Sequence, residues 1–386
     1  MTELIFVSLE DWDEIWRRNQ FVCAELARRY PQGKILFVAP PRNVMRDLLT
    51  GKWRNLRRPA TSRPKGLANI TVFRPIKWLP DSLRIGRSIN AASLRKQVHK
   101  VANQFGLSRP LLWLNSESSV HMVGRMSESA TVYDITDDWI SFQRDPRQAE
   151  QVRHNDRELC QKAGAVIVCS QRLYEMKQPI ADGRLHLIPN GVDAGHYHSA
   201  AATSDAKWER PVFGYTGTIH PERLDLDLVQ AVAKKLKQGT LVFVGPNHLL
   251  EPQKAALLST GRVAFGEPVP YERIPQVMSA FDVCIAPHRT SQFVESLQPI
   301  KLWEYLAIGK PIVATDISGF RDYPELVRIA RSADEFVSQL QSALAEGTQK
   351  TSQRQAIAKE NSWQDRVDAI EAVFAKISKP AEVAHV

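Results

Sequence analysis

The chain lacks any uninterrupted apolar run approaching the roughly 20 residues of a membrane span, so no transmembrane helix is expected. Cysteine is scarce. Cys23, Cys160, Cys169 and Cys284 are scattered over 386 residues with no Cys-x-x-Cys. That spacing argues against a disulfide framework or a zinc set and suits reduced, buried thiols in a cytoplasmic protein. The N-terminus has no basic leader, carrying Glu3, Glu10, Asp11 and Asp13 instead, so no signal peptide is expected. Neither Gly-x-x-x-x-Gly-Lys-Ser/Thr nor Gly-x-Gly-x-x-Gly occurs, which removes the P-loop and dinucleotide fingerprints. No metal-ligand cluster stands out, and no metal or other cofactor is expected. Acids are nearly missing from residues 42–100, where fifteen Lys and Arg face only Asp47 and Asp81. The local excess of +13 exceeds the net charge of the whole chain, +9, and Trp53, Trp78 and Leu79 are interleaved with it. We read this stretch as a face for an anionic membrane surface, ahead of an unpartnered soluble face. Nucleic-acid binding is the least supported reading, since basicity with aromatics is a weak signal for it.

What is present is an ordinary globular composition, long enough for two cores. Short apolar strands alternate with helical segments. In the first half, strands are expected at Leu4–Ser8, Ile35–Ala39, Thr71–Arg74, Leu111–Leu114, Thr131–Ile135, Val166–Cys169 and Leu185–Ile188. Helices are expected over Asp11–Tyr30 and Ser93–Phe105. Pro189-Asn190-Gly191-Val192-Asp193 is a sharp turn, and Ala194–Arg210 is small and polar like a linker. A second series has strands at Val212–Tyr215, Leu241–Val244, Val263–Phe265, Val283–Ala286 and Ile312–Ala314, with helices from near Arg223, Glu251, Tyr271 and Pro299. This alternation implies two doubly wound parallel α/β domains in tandem. Such sheets bind ligands at the carboxyl ends of their strands.

The segment Gln298–Asp316 is the most informative. Pro299 opens a helix, Ile300, Trp303 and Leu306 form its apolar stripe, and Gly309 is placed for a left-handed stop. Lys301 and Glu304, three apart, share the polar face near the helix N-terminus. A cation beside orphan N–H groups suits phosphate, and a carboxylate one turn on can accept two ribose hydroxyls. A solvated surface pair is the commoner meaning of two such residues alone. Gly217 and Thr218 follow a strand in Gly214-Tyr215-Thr216-Gly217-Thr218, where backbone can approach a diphosphate, with Arg223 near in sequence. A tight strand-to-helix turn would use the same glycine for its own sake. His288 and Arg289 end another strand and can face a pyrophosphate, or form a plain surface loop. Asp137 and Asp138 end the strand after Tyr133 and are candidates for the general base, or for N-cap work.

Taken in order, Tyr133–Trp139, Ser170–Tyr174, Pro189–Asp193, Gly214–Gly217, Val244–Pro246, Asp282–Pro287 and Pro299–Pro311 resemble the bacterial GT-B glycosyltransferases. The resemblance is to the family 4-like, group 1 proteins of surface-polysaccharide assembly. It implies a GT-B fold, two Rossmann-like doubly wound domains facing across a cleft. Residues 1–200 would bind the acceptor and 201–362 the nucleotide sugar, with 363–386 returning to the first domain. It implies sugar transfer from a nucleoside diphosphate, with UDP expected, to a lipid-linked or saccharide hydroxyl, peripherally at the inner membrane face. Carried over, Glu304 would hold the ribose, and Lys301 would meet the diphosphate with Gly217 and Arg223 opposite. Asp137 or Asp138 would lie at the acceptor, and Asn19, on the first helix, would be an acceptor contact. The chain departs from the family's two glutamates with seven residues between them. Ser296 stands at the upstream position, Glu295 one residue before it, and Glu295 remains a donor-sugar candidate. A nucleotide-sugar 2-epimerase of the same fold and a non-catalytic binding subunit are the alternative readings.

Overall fold

The structure is a computed structural model that describes residues 3–51, 60–80, 84–143, 145–198 and 208–377. Lys52, Trp53, Arg54, Arg57 and Arg58 of the basic stretch lie outside these, as do 199–207 of the expected linker and the expected boundary at 200/201. The chain divides into two compact units, Met1–Pro189 with Arg366–Val386, and Asn190–Asp365.

In unit 1 the strands are β1 Glu3–Val7, β2 Lys34–Val38, β3 Arg42–Asn43, β4 Thr61–Ser62, β5 Ile70–Phe73, β6 Ile76–Lys77, β7 Leu111–Leu114, β8 Ala130–Ile135, β9 Ala165–Val168 and β10 Leu185–Leu187. The main sheet runs β10-β9-β8-β7-β1-β2-β5-β4, parallel except for β4 against β5. Both faces are covered, which is why its central strands read as unbroken apolar runs. One face packs Ile5, Val7, Leu36, Val38, Leu112 and Leu114 into a core. On the other, Phe6 stacks on Phe37 and Trp113 at centroid distances of 5.7 and 5.1 Å, and Phe374 meets Trp113 edge-on at 5.7 Å. Phe374 belongs to the helix Trp363–Ile377. That helix is also tied by Glu371, which accepts from Tyr30 at 2.6 Å and Arg29 at 2.8 Å.

Two helices differ from the sequence reading. The first is Arg18–Arg29, not Asp11–Tyr30. Trp12 and Trp16 instead fold edge-on onto Phe37 and Phe21. Gln20 closes the start, accepting from Arg17 N–H at 3.1 Å and donating to the Asp11 carbonyl at 2.9 Å. The other runs Arg84–Gln104, beginning well before Ser93. Its first turns escape an apolar-period search because Ile85 and Ile89 are exposed while Gly86 and Asn90 are buried.

In unit 2 the strands are β11 Val212–Thr216, β12 Thr240–Val244, β13 Val263–Gly266, β14 Val283–Ala286, β15 Ile312–Thr315 and β16 Val327–Ala330. Their order is β13-β12-β11-β14-β15-β16, all parallel. The chain thus reverses its direction of sheet growth between β11 and β14, the point where such folds take ligands. Gly214 lies inside β11 for packing alone: a Cβ there would fall 2.2 Å from the Phe281 ring. Asn190 holds the turn before the unit, donating to the Gln298 carbonyl at 2.6 Å. Gly191 lets that turn approach the backbone of Ser362 and Trp363, 2.9 Å from where its Cβ would be. Among the described residues, no helix is long and apolar enough to cross a membrane.

Candidate functional site

The carboxyl ends of β11 and β14 gather most of the expected donor residues. The helix Ile300–Ile308 begins after Pro299 and stops at Gly309 with φ 78°, the left-handed cap its sequence position calls for. On it, Lys301 Nζ lies 2.5 Å from Glu304 Oε2, and the carboxylate side chain is only 5% exposed. Gly217, just past β11, has φ 138°, and a Cβ there would sit 3.0 Å from Lys301 Cε and 3.1 Å from the Tyr215 hydroxyl. The glycine therefore serves both the backbone conformation and the approach of the lysine. It is pinned by its own N–H, which donates to the Val244 carbonyl at 2.9 Å. Thr218 offers its carbonyl to the Tyr215 hydroxyl at 3.4 Å. Burial, and then the Glu304 charge, push the Tyr215 phenol up to about 12 against the opposing effect of Arg223.

Tyr215 also joins this group to the end of β14. Its ring meets His288 edge-on at 5.8 Å. The Arg289 N–H donates to the Arg223 carbonyl at 2.8 Å, and Leu224 and His288 form an antiparallel bridge. Arg289 itself is exposed and spends its Nε on the Leu224 carbonyl at 3.2 Å. His288 is not half of a basic pair. It is 5% exposed, and neither ring nitrogen has a hydrogen-bond partner among the described residues. Desolvation, with Arg223 adding to it, drives its pKa down to about 3, so the ring is neutral at physiological pH. The cations of this edge are Lys301, Arg223 and Arg289. Thr216, at the end of β11, is fully buried with Oγ1 unpartnered among the described residues.

Glu295 is engaged elsewhere. On the helix Gln292–Ser296 it forms a fork with Arg321, both N···O distances 2.8 Å. Arg321 also binds Asp316 at 2.8 Å, and Arg331 reaches the same carboxylate at 2.9 Å. Burial would raise the Asp316 pKa, but the hydrogen bonds and charges of Arg321 and Arg331 outweigh it and hold it low. Ser296, where the family places a glutamate, is fully buried and donates to the Phe293 carbonyl at 2.7 Å.

In unit 1 the sheet reverses between β1 and β7, and Asn19 lies there. Its Nδ2 donates to Ser8 Oγ and to Asn115 Oδ1, each at 2.8 Å, and it is 1% exposed. Asn115 in turn donates to the Asp134 carbonyl at 2.9 Å, and buried Arg18 pairs with Asp134 at 3.1 Å. Asn19 is thus the centre of a buried polar lock. Asp137 is half-buried and accepts from Thr136 Oγ1 at 2.9 Å. Asp138 caps the helix Trp139–Phe142, accepting from Ser141 N–H at 3.3 Å. Sequence reasoning gave no role to Tyr197, Tyr215 or Thr315. Tyr197, buried on the short helix Ala194–His198, has its phenol raised by burial and then by Glu304. Its only signal was an aromatic in a small, polar run. Thr315 accepts from the His288 N–H at 3.1 Å and donates to the His288 carbonyl at 2.8 Å, fixing that residue.

Residues 210–346, all within unit 2, match the family described as Glycosyl transferases group 1. A Bacillus subtilis (strain 168) protein assigned by name to teichuronic acid biosynthesis, the glycosyltransferase TuaH, is 25% identical over 228 residues. The match covers 54% of this chain and 56% of that relative, so the chain spans about half its length. Sucrose-phosphate synthase from Thermosynechococcus elongatus superposes with a TM-score of 0.74 at 14% identity, over 98% of this chain and 99% of that one. Anabaena Alr3699/HepE, in complexes with UDP and with UDP-glucose, gives 0.66 and 0.67 at 17% identity, over 97% of this chain and all of the other. The fold is GT-B, and the match to the group 1 glycosyl transferases falls in its second unit.

Proposed function

We propose that the chain is a glycosyltransferase that moves a sugar from a nucleoside diphosphate, UDP in our reading, to a hydroxyl of a lipid-linked or saccharide acceptor. The observation that carries this is the buried Glu304 paired with Lys301 behind Gly217, at the strand ends where a doubly wound sheet takes a nucleotide. In this reading the carboxylate takes two ribose hydroxyls by charge-assisted hydrogen bonds. Lys301 and the N-terminus of its helix meet the diphosphate, and Arg223 and Arg289 add charge as the leaving group departs. Asp137 or Asp138 removes the acceptor proton. No protein metal ligand is called for. The UDP and UDP-glucose complexes of Alr3699/HepE and the name of TuaH support a UDP donor and a surface polysaccharide or glycoconjugate product. The four cysteines are all free and buried, which suits a reducing cytoplasmic setting.

Calorimetry with a panel of nucleotides and nucleotide sugars tests the donor reading. A UDP sugar should bind preferentially, and Glu304→Ala should weaken it by about a hundredfold, the worth of two charge-assisted hydrogen bonds. Undiminished affinity in Glu304→Ala removes the ribose role, and no binding of any nucleotide removes the donor site. Asp137→Asn and Asp138→Asn should bind donor normally, and at least one should fail to transfer. Full transfer by both refutes the base.

A further inference from the structure

Unit 2 holds a buried tyrosine to which the donor chemistry gives no part. Tyr197 lies on the short helix Ala194–His198, which packs on the helix Ile300–Ile308. The turn before it is tied to the start of that longer helix. Asn190 donates its backbone N–H to Gln298 Oε1 at 3.1 Å and its Nδ2 to the Gln298 carbonyl at 2.6 Å. The Val192 N–H donates to the Asn361 carbonyl at 3.0 Å. Asp193 Oδ1 then accepts from the His196 N–H at 3.1 Å, and the His196 ring stacks on Tyr271 at a centroid distance of 4.4 Å. These ties fix where Tyr197 sits. The residue is 2% exposed and shares a core with Leu302, Trp303 and Leu306. Its hydroxyl is buried with no hydrogen-bond partner among the described residues. Burial raises the phenol pKa well above its usual value, and the Glu304 carboxylate, facing the hydroxyl, raises it further. The hydroxyl thus lies close to Glu304 without closing a hydrogen bond to it.

We infer that Tyr197 is a positioning residue for ribose recognition: when Lys301 turns to the diphosphate, the Tyr197 hydroxyl donates to Glu304 in its place and holds the carboxylate for the ribose. The inference rests on the donor reading above. In that reading Lys301 has two anions to serve. Its Nζ lies 2.5 Å from Glu304 Oε2, and the Glu304 side chain is only 5% exposed. A carboxylate that deep is costly once its cation leaves, unless another donor replaces it. An ionised carboxylate has about four lone-pair sites. Two ribose hydroxyls and the tyrosine hydroxyl fill three of them from fixed directions. Packing alone does not ask for this hydroxyl, because a phenylalanine fills the same volume and buries no unpaired polar atom.

Calorimetry with UDP and thermal unfolding of the full chain test it, on the parent, Tyr197→Phe, Glu304→Ala and the double variant. Tyr197→Phe should unfold no earlier than the parent, since it removes an unpaired buried hydroxyl, and yet bind UDP about tenfold more weakly, the worth of one hydrogen bond to a charged group. With Glu304→Ala already in place, the same change should cost no further affinity, because the tyrosine acts only through the carboxylate. Full UDP affinity in Tyr197→Phe, where Glu304→Ala is weakened, overturns the role of the tyrosine and leaves the donor reading standing. An equal loss in both backgrounds, or a lowered unfolding temperature accompanying the weaker binding, assigns Tyr197 to the packing of the unit and overturns it as well. Absence of UDP binding in the parent, or undiminished binding in Glu304→Ala, removes the donor reading and this inference together.

Discussion

Acid titration of His288 tests the electrostatics of the proposed donor site. Its pKa is about 3 in the folded protein, against about 6.5 for the free side chain, because the ring is desolvated and Arg223 is near. Above about pH 6.5 the ring is neutral in both folded and unfolded chains and contributes nothing to the pH dependence. Below that the unfolded chain takes up a proton that the folded one refuses, so stability falls with pH until the folded pKa is reached. The fall from about 6.5 to about 3 corresponds to about 5 kcal/mol in full, and to about 2 kcal/mol already lost at about pH 5. Other groups titrate in the same range. His121 in unit 1, lowered to about 4 by desolvation and then by Arg95, acts in the same direction. The clean measurement is therefore a difference. His288→Asn cannot take up the proton, so between about pH 7 and pH 5 it should lose about 2 kcal/mol less than the parent in urea unfolding. Carbon-detected histidine NMR, with the resonance assigned by the same variant, should show His288 uncharged down to about pH 4. A midpoint near 6.5, or parallel stability curves for parent and variant, refutes the buried neutral histidine and restores a cation at this strand end.

Two more outcomes follow from packing. Gly217→Ala should cost about 1–3 kcal/mol of stability for its φ of 138°, and it should weaken nucleotide binding about tenfold by pressing on Lys301 Cε. Unchanged nucleotide affinity measured by calorimetry argues against a backbone role at the diphosphate. Arg354 is fully buried, 2.5 Å from Glu346, and its Nε and Nη2 donate to the Leu326 carbonyl at 3.1 and 3.0 Å. Arg354→Ala strands the Glu346 charge and should cost about 3–5 kcal/mol in chemical unfolding. A loss under about 1 kcal/mol shows that Arg328, 3.0 Å from the same carboxylate, carries that charge alone.

The strands were legible because both faces of each sheet are covered, so β1, β7, β11 and β15 read as apolar runs without needing their neighbours. The helix Ile300–Ile308 was legible for a local reason as well: its stripe, its proline start and its glycine stop all lie within a dozen residues. What escaped depends on distant partners. Nothing near Arg18 announces a helix start, since the cap is made by the Gln20 side chain rather than by a Ser, Thr, Asp or Asn before the helix. The lock at Asn19 joins residues 11 and 96 positions away. The neutrality of His288 is set by burial against Tyr215 and Leu224, which are far from it in sequence, so the chain alone showed a basic pair. Glu295 looked like a substitute for the displaced family glutamate, but Arg321, twenty-six residues on, takes both of its oxygens.

Both sheet reversals bury polar atoms without partners among the described residues, and in unit 2 these atoms bear on the proposed ligand edge. At the reversal in unit 1, Asn19 Nδ2 donates to Ser8 and Asn115, while Asn19 Oδ1 and Asp134 Oδ1 are buried without partners among the described residues. At the reversal in unit 2, both nitrogens of His288 and the hydroxyl of Thr216 are buried without partners among the described residues. An unpaired buried polar group costs on the order of 1–3 kcal/mol. Three such atoms around one strand-end pair are a burden that packing alone does not justify, since a leucine and a valine would fill the same volumes. On the proposed reading the cost is offset when a ligand brings donors and acceptors to this edge. Nucleotide-sugar binding should then raise the stability of unit 2 by more in the parent than in a His288→Leu, Thr216→Val variant. An equal gain in both would leave these groups without a ligand role.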